Sequence, residues 1–287
     1  NKFTLPLVGW FGGSDAVLGW QCTMALYGAI ACLLFWTTFA STRERIAPDP
    51  AQRSSPWRDL ADLARNPPWL ILFALALIIM LTITLRAGSA YYYFTYYLGR
   101  PELLSDYLFV QMIAYAAGAL LAPVLVRHID KSRLLVLLMG LVAGLSLLMA
   151  FVPPQMIWAI FTLNALISLC LGPKSPLTWS MYADTADYNE WRHGRRATAM
   201  TFSAATFAQK LGGSLGSAGM LWLLALLGYA ANQAQADASK LGINLLQTAI
   251  PAAFALLAAA VALGYRLRGE QLAQIQAELV QRQPGAA

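Results

Sequence analysis

Charge is what this chain has least of. Asp, Glu, Lys and Arg make up only 12% of its 287 residues, against about 25% for a soluble globular domain. Histidine is nearly absent, with His128 and His193 the only two. No HExxH zinc motif, phosphate-binding P-loop or dinucleotide fingerprint occurs, so metalloprotease, ATP-driven and nicotinamide chemistry have no sequence support. Cys22, Cys32 and Cys170 each sit in an apolar run. An odd number so placed reads as small packed hydrophobes, not as disulfides or metal ligands. One string, Gly212–Gly213–Ser214–Leu215–Gly216, fits the G-x-S-x-G nucleophile elbow. That motif needs a strand before it and a histidine after it, whereas here it lies inside an apolar run and both histidines precede it. No enzyme activity and no cofactor are expected.

Apolar residues are what is abundant, at 58% of the chain with a mean hydropathy of +0.54. They fall in seven runs, at about 16–40, 68–96, 106–127, 133–152, 156–182, 198–227 and 243–266. Each approaches or exceeds the ~20 residues that cross a bilayer as a helix. Strand-like alternation is missing, so the expectation is an all-α polytopic membrane protein of about seven transmembrane helices. Residues 1–14 are too short to span and read as a loop or the stump of an earlier helix. A polar linker, 42–66, carries Pro48, Pro50 and Pro56. Within it WRDLADLARN sets Trp57, Leu60 and Leu63 at helical spacing, as a helix on the membrane surface would; a solvated loop is the alternative. Residues 267–287 form a polar tail.

The net charge of +6 sets topology and gives no reason to expect nucleic acid as a partner. Fourteen of the 20 Lys and Arg lie in 42–66, 127–133, 184–197 and after 265, whereas the intervening loops hold Lys2, Arg100 and Lys240. By the positive-inside rule the N-terminus is outside and the C-terminus cytoplasmic, in a plasma (inner) membrane.

The last three cations, Arg86, Lys174 and Lys210, lie in the spans. A lone charge in an apolar span is a candidate functional site. On a helical wheel Ser203, Thr206, Ser214 and Ser217 fall within about 40° of Lys210, and Gly212, Gly216 and Gly219 fall opposite. One face therefore suits an aqueous cavity and the other close packing on a neighbouring helix. Snorkelling to the interface is the competing reading, and the mid-span position of Lys210 disfavours it. Around Arg86, Thr82, Tyr93 and Tyr97 share a face and could meet a sugar ring; an interfacial aromatic belt would use the same tyrosines. Tyr107, Gln111 and Tyr115 form a polar stripe, as do Asn164, Ser168, Ser175 and Thr178. Such stripes line cavities or bond neighbouring helices. Pro173 and Pro176 should interrupt their helix, which is tolerated where backbone lines a cavity. Charges of both signs gather in two clusters, Arg127, Asp130, Lys131 and Arg133, and a turn holding Asp184, Asp187, Glu190, Arg195 and Arg196. Positive-inside anchoring explains their arginines; interhelical ion pairs would explain the acids as well.

The strings GPKSPLTWSMYADTADYNEW, GRRATAM and FSAATFAQKLG, with GWFGGSDAVLGWQ and TFASTRERI upstream, resemble the glycoside–pentoside–hexuronide:cation symporters. These form the melibiose-permease-like branch of the major facilitator superfamily. The resemblance implies twelve helices in two six-helix bundles. Residues 1–41 would then end the N-terminal bundle, with 42–66 the central cytoplasmic loop and 67–266 the complete C-terminal bundle. It further implies alternating-access symport of a glycoside or related sugar with Na⁺ or H⁺. Lys210 matches the lysine of the family motif that links cation and sugar sites, with Thr206, Ser203 and Ser214 around it. Asp184, Asp187 and Arg196, with Arg127 and Asp130, match a cytoplasmic gate. Arg86, Tyr93, Gln111 and Trp179 are candidate substrate contacts. The interiors of the spans hold no Asp or Glu, so the cation-binding acids are expected in a missing N-terminal bundle. Carriage of a lysolipid-like substrate is the alternative within transport, and a membrane-embedded enzyme or sensor is the alternative outside it.

Overall fold

The computed structural model describes residues 3–42, 56–195, 197–231 and 233–282. Within these residues the chain is helical, and it divides into two units, residues 1–53 and 54–287.

The first unit is a pair of helices, α1 (Thr4–Gly12) and α2 (Ala16–Ser41). Asp15 caps α2, its carboxylate accepting from the Val17 and Leu18 amides at 2.9 and 3.2 Å. A short helix thus occupies the segment expected to be a loop or a stump.

In the second unit, α3 (Pro56–Ala64) precedes α4 (Pro67–Tyr92), which runs into a π-helical turn at Tyr93–Tyr97. Then come α5 (Leu104–Val126), α6 (Lys131–Ala150), α7 (Ile157–Leu171), α8 (Lys174–His193) and α9 (Thr198–Leu226). The unit ends with α10 (Asp237–Gln247), α11 (Ala249–Leu263) and α12 (Gly269–Arg282). Asn66 starts α4 by accepting from the Trp69 amide at 3.1 Å, and Pro67 and Pro68 fill the first two positions, where no amide is needed. α4 is the hub, packing on α9, α11, α10 and α8. Buried Leu72, Leu75 and Ile79 of α4 share the core with Leu135, Met139 and Val142 of α6, Ile160 and Ile167 of α7, and Ala255 and Ala258 of α11.

Among the described residues, six helical segments are long and apolar enough to cross a membrane: Ala16–Ser41, Pro67–Tyr97, Pro101–Val126, Lys131–Ala150, Ile157–His193 and Asp237–Leu263. The seventh expected span is α9, whose 29 residues give it about 43 Å of length. Its glycines, hydroxyls and Lys210 remove it from a count by apolarity. Two spans are interrupted. The α7–α8 segment breaks at Gly172–Pro173 and the α10–α11 segment at Thr248, leaving Pro176 and Pro251 in first turns, where their missing amides cost little.

The structure revises the segment after Tyr182. No turn follows there; α8 continues to His193, so Asp184, Asp187 and Glu190 ride on a helix that ends at left-handed Gly194. The charges are tolerated because neighbouring elements supply partners. Asp59 and Asp62 of α3 pair with Arg195, the latter at 3.8 Å. From α12, Gln276 donates to Asp187 at 3.2 Å, and Glu278 accepts from the Trp191 indole at 2.7 Å. The expected amphipathic segment is therefore a helix docked by Asp59 and buried Leu63, while Trp57 and Leu60 point away from the bundle.

Close packing explains the glycines of α9. A Cβ on Gly212 would run into the Leu77 carbonyl oxygen, and one on Gly216 would sit 2.7 Å from that of Leu81. Gly219, expected on the same face, has open space around it. Gly212→Ala should consequently destabilise the purified protein by about 1–3 kcal/mol through overpacking. Gly219→Ala should be neutral or better, which thermal unfolding in detergent would check.

Candidate functional site

The open face of α9 carries the first cluster. Ser203, Thr206, Lys210, Ser214 and Ser217 are all exposed, while Ala205, Ala208, Gly212 and Gly216 are buried. Thr206 donates to the Phe202 carbonyl at 2.9 Å and Ser217 to that of Gly213 at 3.1 Å. Their donors are spent on their own helix, and their lone pairs face outward as acceptors. The Lys210 ammonium has no hydrogen bond or ion pair among the described residues, so its three donors are free. Lys210 stands twelve residues past Thr198 and sixteen before Leu226, about 18 and 24 Å from the helix ends. A lysine side chain does not reach either end of the helix over that distance. Trp179 joins this face from α8, 38% exposed and stacked on Phe202 with ring centroids 5.7 Å apart. Donors, acceptors and an aromatic plane along one open surface suit a polyhydroxyl ring.

Arg86 lies elsewhere, inside the bundle at 5% exposure. Its guanidinium donates to Ser146 of α6 at 3.2 Å and Asn164 of α7 at 3.3 Å. The Asn164 amide group donates in turn to the Tyr107 carbonyl of α5 at 3.4 Å. Beside it Ser89 donates to Gln247 of α10 at 2.6 Å, and Gln247 donates to the Tyr107 hydroxyl at 3.0 Å. Placing an arginine at the centre of a span costs about 2.5–3.5 kcal/mol. Two interhelical hydrogen bonds of about 1–2 kcal/mol each offset that. The polar stripes read as cavity or interhelical contacts are thus interhelical at Tyr107 and Asn164. Tyr93 is fully buried, stacked on Tyr97 at 5.1 Å, and its hydroxyl has no partner among the described residues. Gln111 is half-buried on α5. No contact joins Gln111 or Trp179 to Arg86 among the described residues. The four candidate substrate contacts are therefore divided between the open face and the interior.

The charged helix ends form the third cluster. Asp184 pairs with Lys131 at 2.7 Å, and Lys131 also donates to Ser180 at 2.7 Å, which ties α6 to α8. Asp130 has a structural task as well. Its carboxylate caps α6, accepting from the Ser132 and Arg133 amides at 3.0 and 3.5 Å. Arg127 is exposed with no ion pair among the described residues. Asp187 accepts from Gln276 of α12, and Arg196 lies outside the described residues. Sequence reasoning placed Lys131 in the right cluster without marking it as the partner of Asp184, and missed Arg195 with Asp59 and Asp62. The acids one turn apart on α3 were the available signal. Lys174, the first residue of α8, was also passed over; it is 9% exposed and has no hydrogen bond or ion pair among the described residues.

A family model described as MFS/sugar transport protein matches residues 3–269. The chain is 34% identical over 262 residues to the inner membrane symporter YicJ of Escherichia coli (strain K12), covering 91% of this chain and 57% of the relative. It is 30% identical over 263 residues to the isoprimeverose transporter of Lactiplantibacillus pentosus, covering 88% and 53%. To the glucuronide carrier protein homolog of Escherichia coli (strain K12) it is 29% identical over 266 residues, covering 91% and 56%. The chain thus spans a little over half the length of these curated relatives. With a match over nearly its whole length, the chain belongs to the MFS/sugar transport protein family, in the melibiose-permease-like branch of the major facilitator superfamily.

Proposed function

We propose that this chain works in a secondary active transporter, carrying a glycoside or related sugar together with Na⁺ or H⁺ by alternating access. The observation that carries the reading is the open face of α9, where Lys210 sits mid-helix without a partner among hydroxyl acceptors. A transporter that couples two cargoes needs a group both can influence, and an ammonium serves by trading a carboxylate partner for a hydroxylated one. Residues 67–266 act as the C-terminal bundle, and α2 as the last helix of the N-terminal one. The acid that pairs with Lys210 belongs to the part of the relatives' length that this chain does not span. The printed names of two relatives, the isoprimeverose transporter and the glucuronide carrier protein homolog, support the cargo class. Lys131 and Asp184, at the Lys- and Arg-rich end, hold the cytoplasmic gate shut in one state, with Asp187, Arg127 and Asp130 nearby.

Lys210→Ala keeps the glycine face intact, so the protein should insert and fold as wild type does. In membrane vesicles of the whole transporter, cation-driven sugar accumulation should nevertheless fall by about tenfold or more. Lys210→Arg keeps the charge but not the compact ammonium, and should restore little. Normal accumulation by a well-expressed Lys210→Ala protein would show that the lysine merely packs.

The gate gives a separate expectation. Asp184→Asn and Lys131→Gln should each lower the transport rate, and the double variant should be no slower than the worse single one, because both remove one interaction. Sugar affinity at equilibrium should change less than rate. Additive losses in the double variant would separate the two residues.

A further inference from the structure

A cavity of about 260 Å³ opens between the C-terminal end of α5, where Arg127 and Lys131 follow, and the first turns of α8. Pro123 and Val126 of α5 and Pro176 and Leu177 of α8 form apolar walls, and Arg127 and Lys131 stand at its polar end. Arg127 is exposed and has no acceptor among the described residues. Lys131 spends two of its three N–H groups on Ser180 and Asp184 and keeps one. The acid nearest in sequence, Asp130, accepts from the first amides of α6 and makes no ion pair with these cations among the described residues.

We propose that this cavity binds an anionic phospholipid, with the headgroup phosphate on Arg127 and Lys131 and an acyl chain along the proline-lined groove. The walls decide for a lipid over a soluble phosphate. A small anion would leave Pro123, Val126, Pro176 and Leu177 uncovered, whereas a lipid matches both ends of the cavity at once. Basic pockets between transmembrane helices at the membrane boundary recognise lipid headgroups through the same combination. A phosphate on Lys131 competes with the Asp184 carboxylate for the same ammonium. Lipid binding therefore loosens the contact between α6 and α8. The site is separate from the open face of α9, and the proposal does not depend on which sugar is carried.

Native mass spectrometry of the detergent-purified full chain tests it, with phosphatidylglycerol, phosphatidylcholine and glycerol 3-phosphate as probes. Phosphatidylglycerol should be retained in preference to phosphatidylcholine, and glycerol 3-phosphate should not displace it. Arg127→Ala should weaken retention about fivefold, the equivalent of about 1 kcal/mol per basic residue. Val126→Trp fills the groove without changing charge and should weaken it too. Arg133→Ala, in the first turn of α6 but outside the cavity, should have the smaller effect. Equal retention of the two lipids, or displacement by glycerol 3-phosphate, would overturn the proposal. So would an Arg133→Ala loss as large as that of Arg127→Ala, which would mark diffuse surface charge, or full retention in both cavity variants, which would leave the cavity to an acidic protein segment.

Discussion

Backbone contact between α4 and α9 is the constraint on which the arrangement rests. Gly212 and Gly216 bring α9 against Leu77 and Leu81 so closely that a methyl group could not fit. In hydrocarbon, such contact supplies the packing that water-driven burial supplies elsewhere. It also fixes rotation. With the glycines turned inward, helical geometry turns Ser203, Thr206, Lys210 and Ser214 outward, and it holds the lysine midway along the helix. Packing and function are thus two sides of one 29-residue element.

The cations of this chain are handled in three ways. Arg86 is satisfied inside the bundle by neutral acceptors from α6 and α7, which join α4 to its neighbours. Lys131 and Arg195 meet carboxylates at the helix ends, where α3, α6 and α8 converge. Lys210 has neither arrangement among the described residues. On the open face of α9 that ammonium is the charge left to answer a cargo or a partner helix.

Much of this could be read in the sequence, because hydrophobic run length and helical periodicity are local properties. The runs located the spans, and the wheel separated the glycine and hydroxyl faces of α9 before any coordinates. What escaped was non-local. Hydropathy falls after Tyr182, yet α8 persists to His193 because α6 and α12 provide partners for its charges. Asp59 and Arg195 lie 136 positions apart, and no spacing rule connects them. Arg127 and Lys131 are equally basic in sequence, and only the approach of α8 selects Lys131 for Asp184. Gly219 shares the wheel face of Gly212, but a Cβ there meets nothing, and at that level α9 meets α4 through Met220 against Gly88. Arg86 and Tyr93 resembled cavity residues for the same reason: a wheel says which side of a helix a residue occupies, not which neighbour covers it.

The claim that the Lys210 face lines water is open to direct measurement. With Cys22, Cys32 and Cys170 replaced by serine, single cysteines at positions 203, 206, 214 and 217 would be treated in intact membranes with a charged, water-borne thiol reagent. The account predicts labelling at all four positions, slowed by transported sugar at 206 and 214, and none at buried position 208 of the opposite face. Labelling only by a lipid-soluble maleimide at the four positions would place that face against lipid and contradict it.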